Sequence, residues 1–341
     1  MHLPDNYLSP QTCITISVLA APVLVTSFKH VKVELHENKD LVPMLGIASS
    51  LSFLMMLFNI PIPGGTTAHA VGGTLLAILI GPYAACLAVS VTLILQAFLF
   101  GDGGILSLGV NIFNMACIMP FCGYYIYDFF RKKNHDHIGV IVGSYMGINL
   151  SSLLVAVELG IQPLMFHSND GIPLYNPYPL VITLPAMMLT HLLFAGWVEA
   201  FFSFIIYKYI NKIAPYELYN NVKKENKNYH LRYFFLIVVG MIILSPIGIL
   251  AQGTAFGEWS NKELLQNLKT ENISAILPFG MKNGISYNTI FNDYSIPGLP
   301  ISLGYFLCAV TGVLIFFLIC KVMIAFYEKK QEKNKTDKFH K

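Results

Sequence analysis

The feature that most constrains this chain is a succession of long apolar stretches set apart by clusters of Lys and Arg. They lie near residues 10–28, 42–60, 68–80, 83–100, 104–130, 138–160, 179–207, 233–251 and 298–327. A helix crosses the hydrocarbon core of a bilayer in about 20 apolar residues, and most of these stretches qualify. The third is short, and Gly81-Pro82 divides it from the fourth, because proline cannot extend the helix that precedes it. Composition agrees: 55% of the 341 residues are hydrophobic and 12% charged, against about 25% charged in a soluble domain. A soluble globular enzyme and a disordered chain are excluded, and a nucleic-acid binder is disfavoured. The chain reads as an all-α polytopic membrane protein.

The basic residues set the count and the orientation. Lys29, Lys32 and Lys39 fall in 29–41, and Arg131, Lys132 and Lys133 in 131–137. Six more fall in 208–232 and seven in 321–341. The other three, Lys262, Lys269 and Lys282, share the connection 252–297. Nine crossings with the N-terminus outside and the C-terminus cytoplasmic place all four rich segments in the cytoplasm, as the positive-inside bias requires. Fusing 68–100 into one span would strand Arg131-Lys132-Lys133 outside. Residues 1–28 hold no Lys or Arg, so the positive n-region of a signal peptide is missing, and the first helix is expected to be retained. The outer face then carries the N-terminus, the loop 61–69, the turn Gly101–Gly104 and the connections 161–178 and 252–297.

Several chemistries find no motif. No glycine is followed by lysine, which removes the phosphate loop of that ATPase type, and no H-E-x-x-H occurs. The six cysteines fall in expected helices without a C-x-x-C pair and read as buried apolar residues. The N-terminus offers more. The amine of Met1, the backbone nitrogen of His2 and the His2 ring nitrogen nearer the backbone can close a five- and a six-membered chelate ring. That leaves three nitrogens nearly in a plane with one position vacant. Nitrogen-rich planar sets suit Ni(II) or Cu(II), with Co(II) in a related geometry, and His69 on the same face could fill the vacancy. The alternative is that His69 simply hydrogen-bonds.

Gly64-Gly65 and Gly72-Gly73 bracket His69 and allow close approaches other residues cannot make; close helix packing is the competing use. Thr66 and Thr67 precede the histidine. Asn111 and Asn114, three apart on one helical face, lie below the Gly101–Gly104 turn. These four are read as groups that orient the ligands. Glu158, His191 and Glu199 are further polar residues within spans; the last two, eight apart, could pair.

Four motifs in order resemble the CbiM/NikM family, the substrate-binding membrane components of cobalt and nickel energy-coupling-factor (ECF) transporters. They are Met1-His2-x-Pro4-Asp5-x-x-Leu8-Ser9, Gly64-Gly65-Thr66-x-x-His69, Phe100-Gly101-Asp102-Gly103-Gly104 and Leu108-Gly109-x-Asn111-x-x-Asn114-Met115. The resemblance covers about residues 1–210. It departs at Thr67-Ala68, where relatives often carry Ser-Gly. It implies a seven-helix S-component bundle and a metal held by Met1, His2 and His69. It further implies a multi-pass place in a prokaryotic cell membrane and no cofactor of the chain's own. Its expected partners are a CbiQ/NikQ-like transmembrane coupling subunit and CbiO/NikO-like cytosolic ATPases.

A linker, 211–232, leads to a two-helix unit, 233–327, with the outer loop 252–297 and a cytoplasmic tail, 328–341. Pro246-Ile-Gly248, Gly253–Trp259 and Asp293–Gly298 resemble the small CbiN/NikN partner in its PDGLE-type form, without that stretch's usual acidic residues. Such a fusion is NikMN-like and favours nickel as cargo over cobalt. Two other readings remain open at this stage. One is an S-component for an organic micronutrient; the other is an intramembrane enzyme using His191 and Glu199 with Glu158.

Overall fold

A computed structural model describes residues 1–38, 40–63, 66–215, 218–219, 231–251, 253–271, 273 and 276–339. Gly64-Gly65 and most of the linker 211–232 therefore lie outside the described residues. Seven described helices are long and apolar enough to cross a membrane. They are α1 (Pro10–Glu37), α4 (Pro82–Phe100), α5 (Leu108–Arg131), α6 (Asp136–Gly160), α7 (Leu180–Ile213), α8 (Leu231–Leu250) and α10 (Ile301–Phe339). Two shorter apolar helices, α2 (Leu41–Leu57) and α3 (Gly73–Ile80), stand where the sequence places the second and third stretches. A small amphipathic helix, α9 (Asn261–Thr270), sits in the connection after α8, begun by Ser260 and Glu263 in a capping box.

The chain is not purely helical. Ile60–Ile62 (β1) and Thr66–Ala68 (β2) pair antiparallel, Ile60 facing Ala68 and Ile62 facing Thr66. Pro61 and Pro63 forbid continuation of α2, and the Ile and Thr residues suit a strand. Residues 69–72, expected as the start of the third span, are not helical, and the eight residues of α3 rise only about 12 Å. Irregular backbone is tolerated within a membrane protein when it is buried in protein, and here the amides of Val71 and Gly72 are partnered. Glu199 on α7 accepts from the amides of Val71 (2.7 Å) and Gly72 (3.0 Å), and Ser52 donates to the Val71 carbonyl (2.8 Å).

α2 is buried along almost its whole length, because α8 and α10 cover the side that α4 leaves open. That accounts for a helix apolar all round. Small residues bring the two units close. Gly312 abuts the Phe53 ring, Gly46 abuts Cys320, and Tyr305 donates to the Leu57 carbonyl at 2.6 Å. α1, by contrast, turns Ile14, Val18, Leu19, Val25 and Phe28 outward. α10 continues through the polar tail to Phe339; its Glu and Lys residues are good helix formers and no Gly or Pro interrupts them.

The segments assigned to the outer face meet at one end of the bundle. Gly104 bonds Leu3, Asn176 bonds Tyr7, and Phe291 bonds Leu99, all through backbone groups. At the other end the Tyr219 amide, from the linker, reaches the Ile78 carbonyl at the close of α3. Three π-helical turns occur: Gln96–Phe100 closes α4, and Ile112–Ile118 and His191–Ala195 interrupt α5 and α7. Such turns recur at functional sites, and all three flank the region described next.

Candidate metal centre

The first nine residues are drawn into the bundle and fixed there. Ser9 caps α1, accepting from the Thr12 amide at 3.1 Å, with Pro10 at the first helical position. Asp5 accepts from the amides of Ile105 (3.0 Å) and Leu106 (2.7 Å) at the approach to α5. Leu3, buried, is gripped on both sides. Its amide donates to Asn111 Oδ1 at 2.9 Å, while its carbonyl accepts from Asn111 Nδ2, Ser107 Oγ and the Gly104 amide. The glycines of the 101–104 turn are required by this contact. Gly103 has φ of +87°, and a Cβ on Gly104 would overlap Asp5.

Met1 and His2 are thereby buried, and the His2 ring lies 5.1 Å, centre to centre, from that of His69. The Nδ1 of His69 meets the Ala70 carbonyl at 3.1 Å, which places the proton there and leaves Nε2 with its lone pair. Neither ring nitrogen of His2 has a hydrogen-bond partner among the described residues. Its Nδ1 is 3.3 Å from Asp102 Oδ1, a contact rather than a bond. Burial, reinforced by the nearby terminal ammonium, lowers the His2 pKa from 6.5 to about 4. The same two causes, then His2 itself, hold His69 well below its ordinary value. Both rings are neutral at pH 7, the form that binds metal.

Among the described residues no group of three or more His, Cys, Asp or Glu side chains could hold a metal ion. The donors gathered here are of another kind: one amine, one backbone amide and two imidazoles, an all-nitrogen set. Thr66 and Thr67 sit beside it, lining with Met1, His69, His191 and Phe256 a cavity of about 20 Å³, room for one water. Thr66 also reaches the Thr254 carbonyl at 3.4 Å.

The structure separates residues that the sequence grouped. Asn111 touches the N-terminal segment, whereas Asn114 donates to Glu158 at 2.7 Å. His191 and Glu199 do not pair. His191 Nδ1 bonds the Met187 carbonyl at 2.8 Å, and Glu199 holds the 71–72 backbone. Glu158, His191 and Glu199 thus share no reaction centre. Other contributors stand within motifs of the sequence but have no role that the sequence assigns. Asp102 abuts His2, and its other carboxylate oxygen accepts from Tyr294 of the second unit at 2.5 Å. Glu258, also from the second unit, accepts from the Met1 amine at 2.7 Å and from the His2 amide at 2.9 Å through one oxygen.

Residues 2–217 match the family model described as the CbiM cobalt uptake substrate-specific transmembrane region. This chain belongs to the CbiM family. It is a multi-pass protein of the prokaryotic cell membrane and a transport component, not an enzyme. Residues 231–329 match the PDGLE domain, so the CbiM part carries a CbiN-like part behind it.

The CbiM-family chain is 52% identical to a probable fused nickel transport protein, LarMN, of Lactiplantibacillus plantarum, over 94% of its own length and 97% of the relative's. A fused nickel transport protein, NikMN, of Rhodobacter capsulatus is 36% identical, over 92% and 94%. A crystal structure of a truncated transition metal transporter superposes with a TM-score of 0.59 at 48% identity. It covers 62% of this chain and 99% of that one.

Proposed function

We propose that the chain captures Ni(II), or Co(II), at the outer face and delivers it inward as the substrate-binding component of an ECF-type ABC importer. The observation that carries the reading is the convergence of the Met1 amine, the His2 amide and two neutral, buried imidazoles at one point. These supply four nitrogens: Met1 N, His2 N, His2 Nδ1 and His69 Nε2. Such a set matches the planar preference of Ni(II), and the names of the fused relatives favour nickel as the cargo. Asn111 and Asp5 hold the claw, Glu199 holds the backbone beside His69, and Asn114, Thr66 and Thr67 support from further out.

In this reading the chain crosses the membrane nine times, with its N-terminus outside and its C-terminus in the cytoplasm. Residues 1–210 bind metal, 211–232 link, and 233–327 form the CbiN-like unit. Hydrolysis of ATP belongs to CbiO/NikO-like subunits coupled through a CbiQ/NikQ-like membrane subunit, because this chain carries no phosphate loop. The chain supplies no cofactor of its own.

The test is metal analysis of the purified full chain. His2→Ala and His69→Ala should abolish nickel and cobalt retention. Two residues added before Met1 should do the same, since they displace the free amine from its chelating position. Undiminished retention in the extended protein would reject the claw even if His69 proved to be a ligand.

A further inference from the structure

The contact made by Glu258 is sharper than a loop resting on a pocket. One of its carboxylate oxygens bonds the same two nitrogens, the Met1 amine and the His2 amide, that the proposed claw needs for metal. A metal replacing the amide proton lies along the N–H direction, about 2 Å from nitrogen. The carboxylate oxygen, hydrogen-bonded along that direction at 2.9 Å, would then stand roughly 1–2 Å from the ion, inside a metal–oxygen bond of about 2.0–2.2 Å. The ion and this oxygen cannot occupy their places together.

The backbone around Glu258 is well held. Tyr7 donates to the Trp259 carbonyl at 2.8 Å, and Phe256, Trp259 and Tyr178 pack ring against ring. Ser260 then opens α9 with its capping box. The Glu258 side chain itself is 21% exposed, against 2% for that of Met1. It can therefore swing toward solvent without unseating the segment that carries it.

We propose that Glu258 is an exchangeable stopper, a carboxylate from the second unit that competes with metal for the Met1 amine and the His2 amide. It keeps amine and amide in register and must withdraw as a divalent cation arrives. This gives residues 253–260 control over the loading of the first unit, and it rests on the nitrogen claw proposed above.

The test compares Ni(II) binding by the full-length parent, Glu258→Gln and Glu258→Ala, each checked for a monodisperse elution profile. The glutamine variant keeps the shape and removes the charge that strengthens the bonds to the two nitrogens. Removing a charged competitor should tighten nickel binding by at least about tenfold in the alanine variant, with glutamine in between. It should also speed the rise of the visible absorption of planar nickel. Equal affinity and rate in all three proteins would overturn the proposal, and so would weaker binding in the variants, which would make Glu258 a ligand or a scaffold. Glu258→Gln settles the matter if the alanine variant does not fold. His2→Ala and the N-terminally extended chain are run alongside. If they retain nickel, the claw itself fails; if they lose it while Glu258→Gln binds like the parent, the claw stands and the stopper falls.

Discussion

Asn111 offers a direct measure of how the N-terminus is held. The Leu3 amide is buried, and Asn111 Oδ1 at 2.9 Å is its hydrogen-bond partner; the Leu3 carbonyl has three donors, from Asn111, Ser107 and Gly104. Asn111→Ala orphans the amide. Leaving a buried donor unpaired and losing the bond costs about 2–3 kcal/mol, which raises the fraction of time the N-terminus is released by roughly 30- to 150-fold. Ser107→Ala leaves the same carbonyl two donors and costs about 0.5–1 kcal/mol, a rise of roughly two- to fivefold. The assay is acylation of the Met1 amine in the metal-free full chain, read on the N-terminal peptide by mass spectrometry. Conditions are set so that re-docking outpaces the reagent and the rate follows the opening equilibrium. If Ser107→Ala accelerated labelling as much as Asn111→Ala, or if Asn111→Ala left the rate unchanged, the reasoning would be refuted.

Other expectations follow from the same contacts. Glu199→Ala removes the acceptor of two buried amides, and leaving a buried donor unpaired costs about 1–3 kcal/mol each. It should lower the melting temperature in detergent and abolish nickel retention, with Glu199→Gln intermediate. In the metal-free protein the His2 ring should still give neutral imidazole nitrogen shifts at pH 5.5, since docking lowers its pKa from 6.5 to about 4. The sign is that of a depressed base: above pH 6.5 the ring is neutral docked or free, and docking weakens as the pH falls from 6.5 toward 4 because only the released end takes the proton. With both rings already neutral, nickel loading at pH 7 should release at least one proton per ion, that of the His2 amide. Calorimetry in buffers of different ionisation enthalpy measures that number. Gly248→Ala sets a Cβ against the Leu57 carbonyl and should cost about 1–3 kcal/mol, seen as earlier thermal unfolding.

Much of this architecture is legible in the residues themselves. Apolar length locates each of the seven long helices among the described residues, because a bilayer demands a spanning length of each. The boundaries of the third stretch are not legible by hydropathy. Residues 68–72 are as apolar as a helix but are held out of it by Pro61, Pro63 and Glu199, the last 127 positions from Gly72. For the same reason the eight-residue spacing of His191 and Glu199 mislead. Each is committed elsewhere, one to its own helix backbone and the other to a neighbouring loop.

The centre itself divides along the same line. Met1, His2 and His69, the ligands of the proposed site, can be named from donor chemistry, and Asn111 from its place under a glycine turn, because such a site calls for particular residue types. Glu258 and Tyr294 cannot be. A carboxylate in a Gly-Glu-Trp stretch carries no local sign that it will meet an amine 257 residues earlier. Their role emerges only when α8 and α10 are packed on α2, which brings the connection between them over the open end of the bundle. In the fused chain that connection reaches the site through Glu258 and Tyr294. The second unit then contributes to the surroundings of the first, and in the proposed mechanism the state of the N-terminal nitrogens depends on which partner, carboxylate or cation, reaches them.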